Sequence, residues 1–538
     1  MYRIRAGSWF LRSVAVALVK TLHEIRAFRV VAAFSAFMGL GGELSAVSLV
    51  RAPYLQLGTS NSIVIRWRTD QPVVSRVQFG RALNTLTNEV VGQAAITNHS
   101  VALSNLLPNT KYFYAAGTPS TNLAEGPAFY FTTSPLGAKP TRIWVTGDAG
   151  CTYNQPDYSG LGLLVMNQSG VRDAYYAYSA NRDTDLWLLL GDNAYNLGTD
   201  GDYQTNFFNM YSDFTPRAVI WPALGNHDVD QSPADGRSYF EIFTLPTQGE
   251  AGGLASGTEK YYSFNYGNIH FVCLDSEFSS VNPGSPMLTW SQSDLAADTS
   301  DWRIVYWHHP PYSKGSHDSD GVTRMIQIRQ NINPILETAG VDLVLCGHSH
   351  VYERSFLIDG HYGQSWEWAS TMALDSGSGR PDDSGPYLKS SVAPMAHGGT
   401  VYVVAGSAGW AWRAVGLNHP AMFMGVSQVG SLVLDVNSNR LDGKFLRDTG
   451  AIEDHFTILK GVGPDPLTIK TIRLSEGNLA LQFKTIAGQQ YQLQGATQLG
   501  PSNWQPVGNI ITATGATTQW TDAAPAGTHF FRVVQASN

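Results

Sequence analysis

Charge is scarce in this 538-residue chain: Asp, Glu, Lys and Arg together make up 14%, with a formal net charge of −8. No basic excess is available to grip nucleic acid or an anionic membrane surface, so neither is an expected partner. Cysteine is nearly absent. Cys151, Cys273 and Cys346 are odd in number and widely spaced, with no C-x-x-C pair, which argues against a disulfide framework and a thiolate zinc site. Each lies in or after an apolar strand pattern and is expected to be a small buried hydrophobe. Long hydrophobic runs are missing too: the most apolar segment, Val30 to Gly42, falls short of the roughly 20 residues that a membrane-spanning helix needs. What is plentiful is Gly at 53, Tyr at 24 and Trp at 14. That composition suits an ordered, loop-rich, β-heavy protein of several domains.

Residues 1–46 read as a targeting segment. Arg3, Arg5, Arg12, Lys20, Arg26 and Arg29 precede the apolar run, and "ELSA" ends on a small residue where a signal peptidase could cut. Export is therefore expected, to the periplasm, the cell surface or the medium. Without this segment the chain keeps 29 basic against 41 acidic residues, a net of −12. An anionic substrate would then need local cations to hold it.

Residues 47–135 alternate apolar and polar positions in short runs, "SIVIRWRTD", "SRVQFG", "HSVALSNL", "KYFYAAG" and "AFYFTT", which is the pattern of a β-sandwich. Trp67 and "LPNTKYFY" resemble the core tryptophan and late-strand tyrosine of a fibronectin type III module. From 136 to about 460 the pattern changes to an α/β one, with strands at "RIWVT", "DLWLLL", "AVIWPAL", "IHFVCL", "WRIVYW" and "DLVLC". Helices are expected at 161–178, 203–211 and 327–338. The Gly, Ser and Pro-rich insertion at 360–400 reads as a surface loop lining the site. A linker at 461–466 precedes a second small sandwich at 467–538. That module resembles those at the ends of secreted bacterial hydrolases, with a passive role expected and surface or polysaccharide contact also open to it.

Five motifs each follow an apolar strand of the α/β region: "GDAG" at 147–150, "GDNAY" at 191–195, "GNHD" at 225–228, "HHPPY" at 308–312 and "GHSH" at 347–350. The carboxyl ends of strands in such sheets converge on the ligand crevice, so the five are expected to meet. Asp, Tyr, Asn and His without thiolate suit iron, zinc or manganese, and a shared carboxylate allows two adjacent ions.

This ordered series resembles the purple acid phosphatase branch of the calcineurin-like metallophosphoesterases over roughly residues 47–460. The resemblance implies an α/β four-layer domain, two mixed sheets flanked by helices, beside the N-terminal and C-terminal β-sandwiches. The wider superfamily commonly carries Asp-x-His in its first motif, whereas here Gly150 stands two residues after Asp148. Purple acid phosphatases fill that gap with a tyrosinate three residues after the bridging aspartate, where this chain has Tyr195. Carried over, Asp148, Tyr195 and His350 hold metal one, Asp192 bridges, and Asn226, His308 and His348 hold metal two. All unshared anions then sit on metal one, which places Fe(III) there and Fe(II), Zn(II) or Mn(II) at the second position. His309 falls outside this set. His227 and His317 are the implied catalytic histidines, facing substrate together with Asn226. Glu353 and Arg354 also match the family pattern, and are expected as a buried ion pair supporting the "GHSH" turn.

The implied activity is hydrolysis of phosphate monoesters by a metal-activated hydroxide, with His227 and His317 orienting phosphate and protonating the leaving group. A phosphodiesterase or nucleotidase on the same core is the nearest alternative. An adhesion or glycan-binding protein with a decayed enzyme domain is the alternative from another class.

Overall fold

The computed structural model describes residues 46–151, 164–229, 235–413, 416–461, and 469–535 apart from 476, 486–489, 499–502, 516 and 524–529. The targeting reading of residues 1–45 and the linker at 462–466 lie outside the described residues.

Two mixed sheets form the centre of the α/β region. One runs, in spatial order, Tyr387–Lys389, Ile452–Lys460, Arg440–Arg447, Gly430–Asn437, Thr141–Thr146, Leu186–Leu189 and Val219–Pro222. The other runs Tyr262–Tyr266, Ile269–Cys273, Trp302–Trp307, Leu343–Cys346, Val401–Ala405, Tyr352–Ser355 and Met422–Val426. The expected strands at Thr141–Thr146, Leu186–Leu189, Trp302–Trp307 and Leu343–Cys346 are buried at every position. Strands covered on both faces read as continuous apolar runs, which is why they were visible in the sequence.

The two sheets pack face to face, with Trp221 of one stacked on Phe264 of the other at 3.8 Å. On the first sheet, Trp144 stacks on Tyr175 of helix Gln168–Tyr178 at 4.1 Å, and Trp187 on Phe207 at 5.3 Å. Val305 and Val344 of the second sheet pack with Met287, Ile328 and Leu336 from three helices. Helices therefore cover both outer faces, giving the expected four layers.

Three local expectations change. The helix expected from 161 starts at Gln168, after a short strand Leu164–Met166, and Asn167 caps it by accepting from the Gly170 N–H. The helix expected at 327–338 is two, Thr323–Asn331 and Asn333–Thr338, because Pro334 cannot continue the first and serves as an N-terminal residue of the second. The 360–400 insertion is not simply a loop over the site. It contributes strand Tyr387–Lys389, and buried Lys389 pairs with Asp342 at 2.6 Å, just before strand Leu343–Cys346 begins and at the opposite end from "GHSH".

The leading region forms six strands between Leu49 and Thr132, with Trp67 buried and stacked on His99 at 4.6 Å. It is continuous with the first sheet, since Leu55 pairs with Val219 in parallel. The C-terminal region forms two three-stranded antiparallel sheets around Leu481, Phe483, Leu493 and Trp520. Among the described residues no disulfide links the cysteines, all three of which are buried, and no helix is long and apolar enough to cross a membrane.

Candidate metal centre

The five motifs meet at the carboxyl ends of their strands. Asp148, Asp192 and His348 each follow a glycine and adopt left-handed backbone angles, with φ of 56°, 51° and 65°. Asp and His enter this region more readily than most residues, and such angles gather where a site fixes its ligands. The approach is tight: a Cβ on Gly347 would lie 2.5 Å from Asp148 Oδ2.

The donor atoms form two groups. In the first, Tyr195 Oη lies 3.0 Å from Asp148 Oδ1, 2.8 Å from Asp192 Oδ2 and 3.2 Å from His350 Nε2. His350 Nε2 is also 3.2 Å from Asp148 Oδ1. In the second, Asn226 Oδ1, His308 Nε2 and His348 Nδ1 form a triangle with sides of 3.1, 3.1 and 3.2 Å. Asp192 reaches both groups, because its Oδ1 is 3.4 Å from His308 Nε2 while Oδ2 faces Tyr195.

These spacings fit metal ions. Donors at 2.0–2.2 Å from one ion and at right angles to each other stand about 3.0 Å apart. The hydrogen count points the same way. His308 Nδ1 donates to the Leu190 carbonyl at 2.8 Å, so a neutral His308 presents only a lone pair on Nε2 toward the Asn226 oxygen. Two acceptors in contact need a cation between them, either a proton or a metal. Burial pushes the His308 imidazole down, but Asp192 and Asp148 outweigh it and leave it raised. His348 is pushed well below the ordinary range by burial and by the histidines around it, which keeps it neutral. For Tyr195, burial together with Asp148 and Asp192 drives the phenol well above its usual range. A phenolate there requires a compensating cation.

The remaining histidines surround this core. The His227 N–H donates to Asp192 Oδ1 at 2.8 Å, and its ring Nδ1 donates to the Asn196 carbonyl at 2.8 Å. Asp228 is held from other directions, by Tyr203 Oη at 2.7 Å and by the Gly225 N–H at 2.9 Å. His317 stacks on His348 at 4.0 Å, and its imidazole is pushed down by burial and by His350, with Asp148 and Asp192 opposing. His309 turns away from the donor triangle, pairing Nδ1 with Ser276 Oγ at 2.9 Å and packing its ring 4.2 Å from His348.

The expected Glu353–Arg354 ion pair does not form. Neighbours on a strand point to opposite faces, so Glu353 accepts from Ser313 Oγ and the Lys314 N–H, while Arg354 pairs with Asp454 at 2.6 Å. The sequence reading missed Trp410, whose ring sits 3.7 Å from the His350 imidazole. Its only sequence signal was a tryptophan closing "AGSAGW", the turn after strand Val401–Ala405.

Residues 141–352 match the family described as calcineurin-like phosphoesterase, and residues 50–133 match the purple acid phosphatase N-terminal domain. Purple acid phosphatase 15 of Arabidopsis thaliana is 29% identical over 327 residues, covering 52% of this chain and 57% of the relative. The chain thus spans little more than half the length of this curated relative. Among solved structures, a purple acid phosphatase from yellow lupin (Lupinus luteus) seeds superposes with a TM-score of 0.60 at 18% identity, covering 76% of this chain and 75% of that one. The structure of PhoD superposes with a TM-score of 0.51 at 12% identity, covering 87% of this chain and 93% of that one.

Proposed function

We propose that this chain, which belongs to the purple acid phosphatase branch of the calcineurin-like phosphoesterases, hydrolyses phosphate monoesters at a binuclear metal centre. The observation that carries the reading is the two-group donor set sharing Asp192, with Tyr195 completing the group that Gly150 leaves short. Asp148, Asp192, Tyr195 and His350 would hold Fe(III), and Asp192, Asn226, His308 and His348 would hold Fe(II), Zn(II) or Mn(II). When bound, the two ions neutralise charge on the phosphoryl group and generate the nucleophile from water.

The chain's own residues set up that chemistry. Asp192 fixes the spacing of the two positions, and the Leu190 carbonyl holds the His308 proton on Nδ1 so that Nε2 faces inward. His227 is aimed by two hydrogen bonds, one to the carboxylate that both groups share. In its protonated form it keeps Nδ1–H on the Asn196 carbonyl and carries a transferable proton on Nε2, as the protonation of a leaving alkoxide requires. His317, stacked on His348, would orient a phosphate oxygen. The basic-then-apolar segment at 1–46 supports export of this enzyme.

Metal-loaded protein assayed against a panel of phosphate monoesters and diesters tests the reading. Higher kcat/KM for monoesters is the expected outcome, and a much larger value for diesters would assign the same centre to a phosphodiesterase.

A further inference from the structure

Trp410 carries a buried polar group that the proposed chemistry does not use. It opens strand Trp410–Trp412, and the backbone on either side is tied to the metal centre: the Gly409 N–H donates to the Asp148 carbonyl at 3.1 Å, and the Trp412 N–H to the His350 carbonyl at 2.9 Å. The indole lies 3.7 Å from the His350 ring and meets the Tyr195 ring nearly edge-on, at 83° and 6.1 Å between centroids. Its Nε1–H is buried beside these two rings and closes no hydrogen bond among the described residues. A buried donor of this kind calls for an acceptor.

The acceptor follows from the state of Tyr195. As a neutral phenol, Tyr195 directs its proton toward Asp192 or Asp148, and its oxygen is a weak acceptor for anything else. As a phenolate it loses that proton and becomes a strong, charge-assisted acceptor. We infer that Trp410 is a positioning residue whose indole N–H donates to the Tyr195 oxygen once that oxygen is an anionic metal ligand, tuning how strongly it donates to the ion. The inference rests on the binuclear reading and adds a residue to it. A hydrogen bond to a ligand oxygen lowers the energy of its donating electrons, which is one of the levers by which protein surroundings adjust a metal. Charge transfer from the phenolate to a ferric ion therefore takes more energy with the hydrogen bond than without it.

The test uses the full chain loaded with ferric iron and zinc and reads its visible spectrum. Trp410→Phe keeps an aromatic ring beside His350 and removes the donor together with part of the indole's bulk. The expected result is a retained absorption band displaced to longer wavelength, with both ions still bound. A band left in place overturns the inference. A second measurement needs no variant: in resonance Raman spectra of the wild-type protein, the tyrosinate C–O stretch is expected to move between H2O and D2O, and an unmoved stretch overturns the inference even where Trp410→Phe fails to fold. The two readings fail differently. A colourless ferric wild type removes Tyr195 as a ligand and this role with it, whereas a coloured wild type with an unmoved band removes the role of Trp410 alone.

Discussion

The Tyr195 N–H donates to the Gly150 carbonyl at 2.8 Å, so the residue that leaves a vacancy in the first donor group is bonded to the residue that fills it. A Cβ on Gly150 would stand 2.0 Å from the Asn193 carbonyl oxygen and 2.6 Å from Ala194 Cα. No side chain fits at 150 while the "GDNAY" turn follows this path. Glycine at the first position and tyrosine at the second are thus one structural unit.

Gly150→Ala is expected to displace the Asn193–Tyr195 turn. Overpacking of this kind costs about 1–3 kcal/mol, and the turn it moves carries Tyr195 and follows directly on Asp192. Thermal melting and metal analysis check this, with lower stability and less than the full complement of iron expected.

His308→Ala and His309→Ala should separate cleanly despite their adjacency. His308 Nε2 belongs to the donor triangle, while His309 pairs with Ser276 outside it. Elemental analysis of the purified variants should find close to one ion per chain in the first and two in the second.

Glu353 is fully buried, and burial pushes its carboxyl up to about 7 from an ordinary 4.5. The folded state therefore favours the protonated form. The stability this contributes is complete below pH 4.5 and is lost as pH rises toward 7, on the order of 3 kcal/mol at most. Glu353→Gln stays neutral throughout. Melting curves from pH 4 to 8 should show the wild type losing stability relative to the variant as pH rises, and parallel curves would contradict this.

Arg354 binds Asp454 through two hydrogen bonds, at 2.6 and 2.9 Å, and both side chains are fully buried. Arg354→Met leaves the carboxylate with Arg380 at 2.9 Å and Tyr352 Oη at 2.7 Å. Removing one partner of a buried pair costs roughly 3–5 kcal/mol, and replacing both often costs far less. Urea unfolding should show Arg354→Met well below wild type and the double variant Arg354→Met/Asp454→Asn partly restored.

Much of the centre was legible because the sheets bury both faces of their strands. Each apolar run such as "DLWLLL" stops where the polar donors begin, so strand ends and donor residues coincide in the sequence. The pairing of Gly150 with Tyr195 was implied by the family resemblance, through residue types at fixed offsets. Contacts that depend on direction could not be read this way. Whether Glu353 and Arg354 face each other is decided by the two-residue alternation of a strand, and the sequence pattern there suggested a pair that the strand forbids. Trp410 looked like one more aromatic in a β-rich chain, because nothing local says which ring a turn brings beside His350. Helix Pro286–Ala297 escaped for a related reason: its buried set, Met287, Leu288, Ser291, Asp294 and Leu295, mixes polar with apolar side chains and leaves no clear stripe.

The Leu55–Val219 pairing also bears on solubility. Strand Val219–Pro222 would otherwise be the rim of the catalytic sheet, presenting unpaired backbone groups beside Val219, Ile220 and Trp221. Exposed rims of that kind recruit strands from other molecules. Here the leading region occupies the rim from within the same chain, and Gln56 Nε2 extends the coverage by donating to the Ile220 carbonyl at 3.2 Å. The leading region thus acts as a built-in guard against self-association, and a catalytic domain cut free of it would be prone to aggregate.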